Sequence, residues 1–186
     1  MKNRNKNAFV AYHEAGHAVM CWCLGLRVPG ATVVPDEDSA GHVESLREKP
    51  STYKGIDSGD RWHPSRLRLE KRVMILQAGE VAQRRYNSGS VRRVHSQDDF
   101  YKCRELLRKY APDEKKLDIE NHYLMLRKWT IHLIEQHWYL VEAVATALLE
   151  CGEMSGTQLR AVICGAADQQ PISETHDVAK PIRDRN

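Results

Sequence analysis

The stretch AFVAYHEAGHAVMCWCLGL, residues Ala8 to Leu26, sets two histidines four positions apart with a glutamate directly after the first. Phe9, His13, His17, Met20, Cys21 and Leu24 recur at helical spacing, while Asn7 can cap the start and Gly25 followed by Pro29 can end it. The spacing predicts a helix with both histidines on its apolar face. Residues four apart stand one above the other on a helix, so both imidazoles can reach a single metal ion. Glu14 sits about 100° round the helix from His13, able to contact a water on that ion without ligating it. Zinc brings such a water to a pKa of about 7, a carboxylate takes its proton, and the hydroxide attacks a polarised carbonyl. The pattern H-E-x-x-H thus assigns His13 and His17 as ligands and Glu14 as general base. The competing reading is a histidine pair satisfied inside an ordinary core. Imidazoles on an apolar face need partners, and metal ligation supplies them. Gly16 costs the helix up to about 1 kcal/mol relative to alanine, which predicts that another element packs close against it.

A catalytic zinc keeps one position open and takes three protein ligands. His17 is followed by AVMCWC, without the H-x-x-G-x-x-H extension, so the third ligand is distant in sequence. Glu37, Glu44, Glu70, Glu80, Asp98 and Asp99 are candidates, and His42, His63 and His95 stay open beside them. Helical geometry separates the two aspartates. Ser96 is the expected N-cap of a helix that ends before Pro112, with Phe100, Cys103, Leu106, Leu107 and Tyr110 as its apolar face. At 100° per residue, Asp99 falls about 40° from the centre of that face and Asp98 about 140° away. Asp99 points inward. A simpler role for it is the third helical position after an N-cap, where a carboxylate favours the helix dipole. His122, His132 and His137 lie among tryptophans and leucines and read as packing or surface residues.

The rest of the chain predicts a mainly α fold of α+β type, with a small β-hairpin near the H-E-x-x-H helix. RVPGATVVP and GHVESL are β-prone runs joined by DEDSA. The strand GHVES is either part of a core hairpin or a sheet edge that could hold an extended peptide by strand addition. Residues 47–64 carry turn formers without periodicity and read as a surface loop. Pro64 opens a long helix closed by Asn87–Ser90. From Pro112 to about Glu150 the pattern is helical, carrying Leu117, Tyr123, Leu124, Trp129, Ile131, Ile134, Trp138, Val141, Val144 and Leu148. Its length predicts two or more helices. Ser155 and Gln158 have capping-box spacing for a last short helix. Residues 1–165 form the expected domain, and the polar stretch 166–186, with two prolines, an expected poorly ordered tail.

Composition narrows the function further. The 28 Lys and Arg against 25 Asp and Glu leave a net charge of +3, scattered along the chain, which argues against a nucleic-acid partner. No apolar run approaches the ~20 residues of a membrane span, and MKNRNKNAFV lacks the apolar core of a signal peptide, so a cytoplasmic protein is expected. Five cysteines, an odd number without framework spacing, fit a reducing compartment, with Cys21 and Cys23 as buried thiols.

FVAYHEAGHAV resembles the active-site helix of the protease domain of FtsH-type membrane AAA proteases, whose zinc ligands are two histidines and a downstream aspartate. KRVMILQAGEVAQRRYNSG (Lys71–Gly89), SQDDFYKCRELL (Ser96–Leu107) and LVEAVATALLECGEMSGTQLRAVI (Leu140–Ile163) are similar, in the same order, to later segments of that domain. The resemblance runs from about Ala8 to Ile163 and places the third ligand on Asp99. It departs at Gln83, where the family usually has the first glutamate of Ala-Glu-Glu, and in the segment before Asp99. The family's ATPase module and transmembrane helices have no counterpart in these residues. The resemblance implies an FtsH-protease-domain-like helical zincin that binds one zinc and hydrolyses peptides or unfolded proteins without ATP. Two alternatives are carried with it: a catalytically silent, zinc-stabilised interaction module, and a protease subunit working with a separately encoded AAA ATPase.

Overall fold

A computed structural model of the chain describes residues 2–34, 42–43, 64–90, 93–110 and 116–169. Helix α1 (Lys2–Cys23) is the centre of the fold, and Glu14 to Cys21 are buried without interruption. That run exceeds a one-sided apolar face because α1 packs against a helix on each flank. It begins five residues before the expected cap at Asn7, since no residue from Lys2 to Asn7 breaks a helix. It ends as the sequence predicts. Gly25 adopts φ +67°, a left-handed conformation that costs glycine nothing, and the Leu26 amide donates to the Cys21 carbonyl at 2.9 Å.

The chain then forms β1 (Ala31–Thr32), which pairs antiparallel with β2 (His42–Val43), Ala31 opposite Val43 and Thr32 opposite His42. This is the expected hairpin, reduced to two residues per strand; DEDSA lies outside the described residues. A third strand, β3 (Glu153–Met154), pairs antiparallel with the other side of β1 and gives the order β2-β1-β3. The sequence reading missed β3. It exists because Gly152, at φ +78°, ends a helix and turns the chain alongside β1, where its carbonyl accepts from the Val33 amide at 2.8 Å.

Helix α2 (Pro64–Tyr86) starts at the proline and stops where Asn87 Oδ1 accepts from the Gly89 amide, leading into a 3-10 turn at Ser88–Ser90. Helix α3 (Arg93–Tyr110) begins before Ser96, so that serine lies inside the helix and is not its N-cap. Arg93, Val94 and His95 contain no breaker, and the helix extends through them. The long helical stretch splits into α4 (Lys116–Gln136) and α5 (Trp138–Cys151) at His137. Leu124 and Trp129, counted from sequence among the apolar positions, are 45% and 57% exposed, because Ile119, Tyr123, Leu126 and Ile134 form the inward face of α4.

Helix α6 (Gly156–Asp168) has the predicted capping box, with the Ser155 hydroxyl accepting from the Gln158 amide and the Ser155 amide donating to Gln158 Oε1. It runs through Asp168, so Ala166–Asp168 are helical rather than the start of a tail; residues 170–186 and the 47–63 loop lie outside the described residues. The core joins α1, α2, α5 and α6, with Met20, Leu69, Leu140, Leu148, Leu159 and Ile163 fully buried. Among the described residues, no helix is long and apolar enough to cross a membrane. All five cysteines are free, and burial pushes the Cys21, Cys23 and Cys103 thiols up to about 12.

Candidate metal centre

The site is built where α1 and α2 come closest. A Cβ on Gly16 would lie 2.5 Å from the Ala78 carbonyl oxygen and 2.7 Å from Ala82 Cβ, so the close packing expected at Gly16 is with α2. A Cβ on Gly79 would lie 2.5 Å from His17 Nε2 and 2.6 Å from His13 Nε2. The two helices meet through glycine and alanine, and the backbone of α2 therefore reaches the imidazoles themselves.

That approach fixes both rings. His17 Nδ1 is 2.7 Å from the Ile75 carbonyl oxygen, and His13 Nδ1 is 3.2 Å from Gln83 Oε1. In the neutral rings each Nδ1–H donates to an oxygen on α2, which leaves each Nε2 with its lone pair; once protonated, His13 also donates from Nε2 to Asp99. The two Nε2 atoms face each other at 3.1 Å. Asp99, from α3, completes the group. Its Oδ2 is 3.5 Å from His13 Nε2 and 3.7 Å from His17 Nε2.

One donor atom from each of these residues lies within 4.8 Å of the others. Donors about 2.0–2.1 Å from a tetrahedral zinc stand about 3.3 Å apart, and the observed 3.1, 3.5 and 3.7 Å bracket that separation. Two imidazole nitrogens and one carboxylate are also the donor types zinc takes. His13, His17 and Asp99 could hold such an ion on both geometric and chemical grounds.

Electrostatics around the cluster follow from burial and crowding. Burial, and then the charge of His13, lower His17 to about 4. Burial alone would lower His13 as well, but its hydrogen bond to Asp99 and the nearby Glu14 carboxylate outweigh it, and the net direction is upward. Burial opposes ionisation of Asp99, yet the hydrogen bond from His13 and the charges of both histidines bring it below the usual carboxylate range. Glu14 is 4% exposed, and burial raises its carboxyl to about 7.

The other candidates go elsewhere or cannot be placed. Glu70 Oε1 is 2.9 Å from His122 Nε2 and 3.2 Å from Arg66 Nε, an ion-pair cluster between α2 and α4. Glu80 pairs with Arg84 and, at 3.2 Å, with Arg127. Glu37, Glu44 and His63, and the side chains of His42, His95 and Asp98, lie outside the described residues. His122 is buried in its pair with Glu70, as a packing role implies.

Sequence reasoning noted Gln83 only as a departure from a family pattern, and it missed Ile75 and Gly79. The signal for Gly79 was present: a glycine inside a strong helix, as at Gly16. A backbone carbonyl such as that of Ile75 leaves no residue-type signal.

No family model matches the chain. The chain is similar to the ATP-dependent zinc metalloprotease FtsH of Streptobacillus moniliformis, 25% identical over 193 aligned residues that take in 90% of this chain and 27% of that protein. It is 32% identical over 83 residues to the ATP-dependent zinc metalloprotease YME1L1 of Mus musculus and of Homo sapiens, 44% of this chain and 10% and 9% of those proteins. The chain therefore spans about a quarter of the length of the FtsH relative and about a tenth of the YME1L1 relatives, and its likeness to these zinc metalloproteases is distant and partial.

Proposed function

We propose that this chain is a zinc metalloendopeptidase of the FtsH-protease type, a helical zincin that cleaves peptides or unfolded chains without ATP. His13, His17 and Asp99 hold one zinc, and Glu14 is the general base. The observation that carries the reading is the meeting of His13 and His17 from α1 with Asp99 from α3, both rings turned by α2 to present Nε2. The similarity to zinc metalloproteases supports it independently.

Zinc, when bound, supplies Lewis acidity to a water molecule and to the scissile carbonyl. The protein does the rest. Ile75 and Gln83 hold the two imidazoles in the tautomer that ligates. Glu14, one position from His13 and off the ligand row, receives the proton of the attacking water on its carboxylate and returns it to the departing amine nitrogen. Its burial keeps that proton from bulk solvent. Among the described residues, strand β2 lies at an edge of the sheet and packs beside α1, which supports a substrate held extended along it. Five cysteines, all free, support action in a reducing compartment such as the cytoplasm.

Purified protein is expected to bind about one zinc per chain and to cleave casein at a rate indifferent to ATP and abolished by chelator. Glu14→Gln is expected to keep the zinc and lose about 10²–10⁴ in rate. Undiminished cleavage by Glu14→Gln refutes the mechanism. A zinc-loaded wild type that cuts nothing by itself favours the two alternatives, and co-purification of an AAA ATPase separates a protease subunit from a silent interaction module.

A further inference from the structure

We propose that Gln83 is a positioning residue that works as a two-position latch on the metal site, selecting the tautomer of His13 by the orientation of its side-chain amide. The inference rests on the zinc reading above and concerns how readily the site takes up its metal.

A neutral imidazole carries one N–H, and the nitrogen that faces an acceptor keeps it. With Gln83 Oε1 at 3.2 Å from His13 Nδ1, the proton sits on Nδ1 and Nε2 points its lone pair at the ligand cluster. An amide has a second face. Turned end over end, Gln83 offers its NH₂ group instead, and Nδ1 must then accept. The proton passes to Nε2, where acceptors already wait: His17 Nε2 at 3.1 Å and Asp99 Oδ2 at 3.5 Å. In that arrangement the cluster is hydrogen-bonded without a metal, and His13 cannot ligate.

The two ligands differ in this respect. His17 Nδ1 faces the Ile75 carbonyl, which can only accept, so His17 is held in one tautomer. His13 alone faces a group with both a donor and an acceptor end. Gln83 is only 9% exposed, so bulk water does not take over the role of its amide. A carboxylate at position 83 would accept only and would hold the metal-ready tautomer alone.

The test compares zinc affinity of the full chain with that of Gln83→Glu and Gln83→Leu, by competition with a chromophoric chelator. Nitrogen-15 NMR of His13 in zinc-free protein reads the tautomer, and circular dichroism melts check the fold. Gln83→Glu is expected to bind zinc about tenfold or more tightly, and Gln83→Leu about 10–100-fold more weakly. At a pH where His13 is neutral, zinc-free wild type is expected to populate both tautomers of His13, Nδ1–H with Gln83 Oε1 toward the ring and Nε2–H with the amide turned, and Gln83→Glu the Nδ1–H tautomer alone. Affinities of both variants within about threefold of wild type overturn the latch, as does a zinc-free wild type wholly in the Nδ1–H form. The NMR result on wild type decides the matter even if Gln83→Leu does not fold. A wild type that takes up no zinc overturns the underlying zinc reading, an outcome distinct from a zinc-binding wild type whose affinity is blind to position 83.

Discussion

Gly79→Ala separates the stability of the fold from the integrity of the site. The added methyl would lie 2.5 Å from His17 Nε2, 2.6 Å from His13 Nε2 and 2.7 Å from His13 Cε1. Relief to an ordinary contact of about 3.0–3.4 Å moves the imidazoles, or the whole of α1, by about 0.5–0.9 Å. Metal–ligand distances tolerate about 0.2 Å. The displacement exceeds that tolerance severalfold, so zinc affinity is expected to fall by at least about 100-fold. Stability responds less. Overpacking costs about 1–3 kcal/mol, while alanine's better helix propensity returns up to about 1 kcal/mol. The net change is about 0–2 kcal/mol, or a Tm lower by at most about 8 °C in a chain of this size. Gly16→Ala is the contrasting variant. Its methyl meets the Ala78 carbonyl and Ala82 Cβ, backbone and a short side chain that cannot swing aside, and the helices must part. It is expected to cost more stability than Gly79→Ala. Gly165→Ala, with nothing within 4 Å, is the control and is expected to stabilise by up to about 1 kcal/mol. The assay pairs thermal melts of zinc-free protein with chelator competition. Zinc affinity of Gly79→Ala within about threefold of wild type refutes the claim that α2 is shaped around the imidazoles.

Two further outcomes follow from the same geometry. Zinc at about 100 times its Kd is expected to stabilise the chain by about 2.7 kcal/mol, raising Tm by about 5–11 °C, and Asp99→Asn is expected to remove most of that rise in a thermal-shift assay. The Glu80 pair is expected to make stability depend on acid. Burial opposes the charge on Glu80, but the hydrogen bond from Arg84 and the charge of Arg127 outweigh it and hold the carboxyl below its usual value. A carboxyl depressed in the folded state contributes stability above its unfolded pKa of about 4.3, and that contribution is lost as pH falls through the folded value. Arg127→Met is therefore expected to lower urea stability by about 1–2 kcal/mol at pH 7 and by progressively less as the pH falls through the folded value; a loss that does not change with pH contradicts the assignment.

Most of what could be read from sequence depends on one helix at a time, although the caps expected at Asn7 and Ser96 failed because α1 and α3 each extend past them. The spacing of His13 and His17, the helix-starting Pro64, the capping box at Ser155 and the inward angle of Asp99 are all local, and each is where the pattern put it. The choice among Asp99, Glu70 and Glu80 shows the limit. All three carboxylates are partly buried, and only the packing of α4 against α2 explains why Glu70 and Glu80 are engaged by His122 and Arg127. The contributions of α2 were hidden for the same reason. Ile75 acts through its carbonyl and Gly79 through the side chain it lacks, and neither has meaning until the distance between α1 and α2 is known. Strand β3 is two residues long, too short for any alternation, and depends on the turn at Gly152 and on β1 lying alongside.

The cluster also depends on a helix that contributes no atom to it. The partners of the histidines belong to α2, and the carboxylate belongs to α3, so the position of Asp99 relative to the imidazoles depends on how α2 and α3 are held together. Helix α4 engages both. Toward α2 it presents His122 to Glu70, Arg127 to Glu80, and the buried hydroxyl of Thr130 to Gln77 Oε1 at 3.1 Å. Toward α3 it presents Glu120 to Arg104 at 2.6 Å and Tyr123 edge-on to Phe100, one residue from Asp99. Polar pairs fix register more sharply than apolar contacts, which tolerate sliding, because a displaced partner leaves a buried group unsatisfied at about 1–3 kcal/mol. The polar seam along α2 and α4 thus has a use beyond stability. It sets the height of α2 against the brace that also carries α3, and so brings a carboxylate from one helix to the two nitrogens that another has turned to meet it.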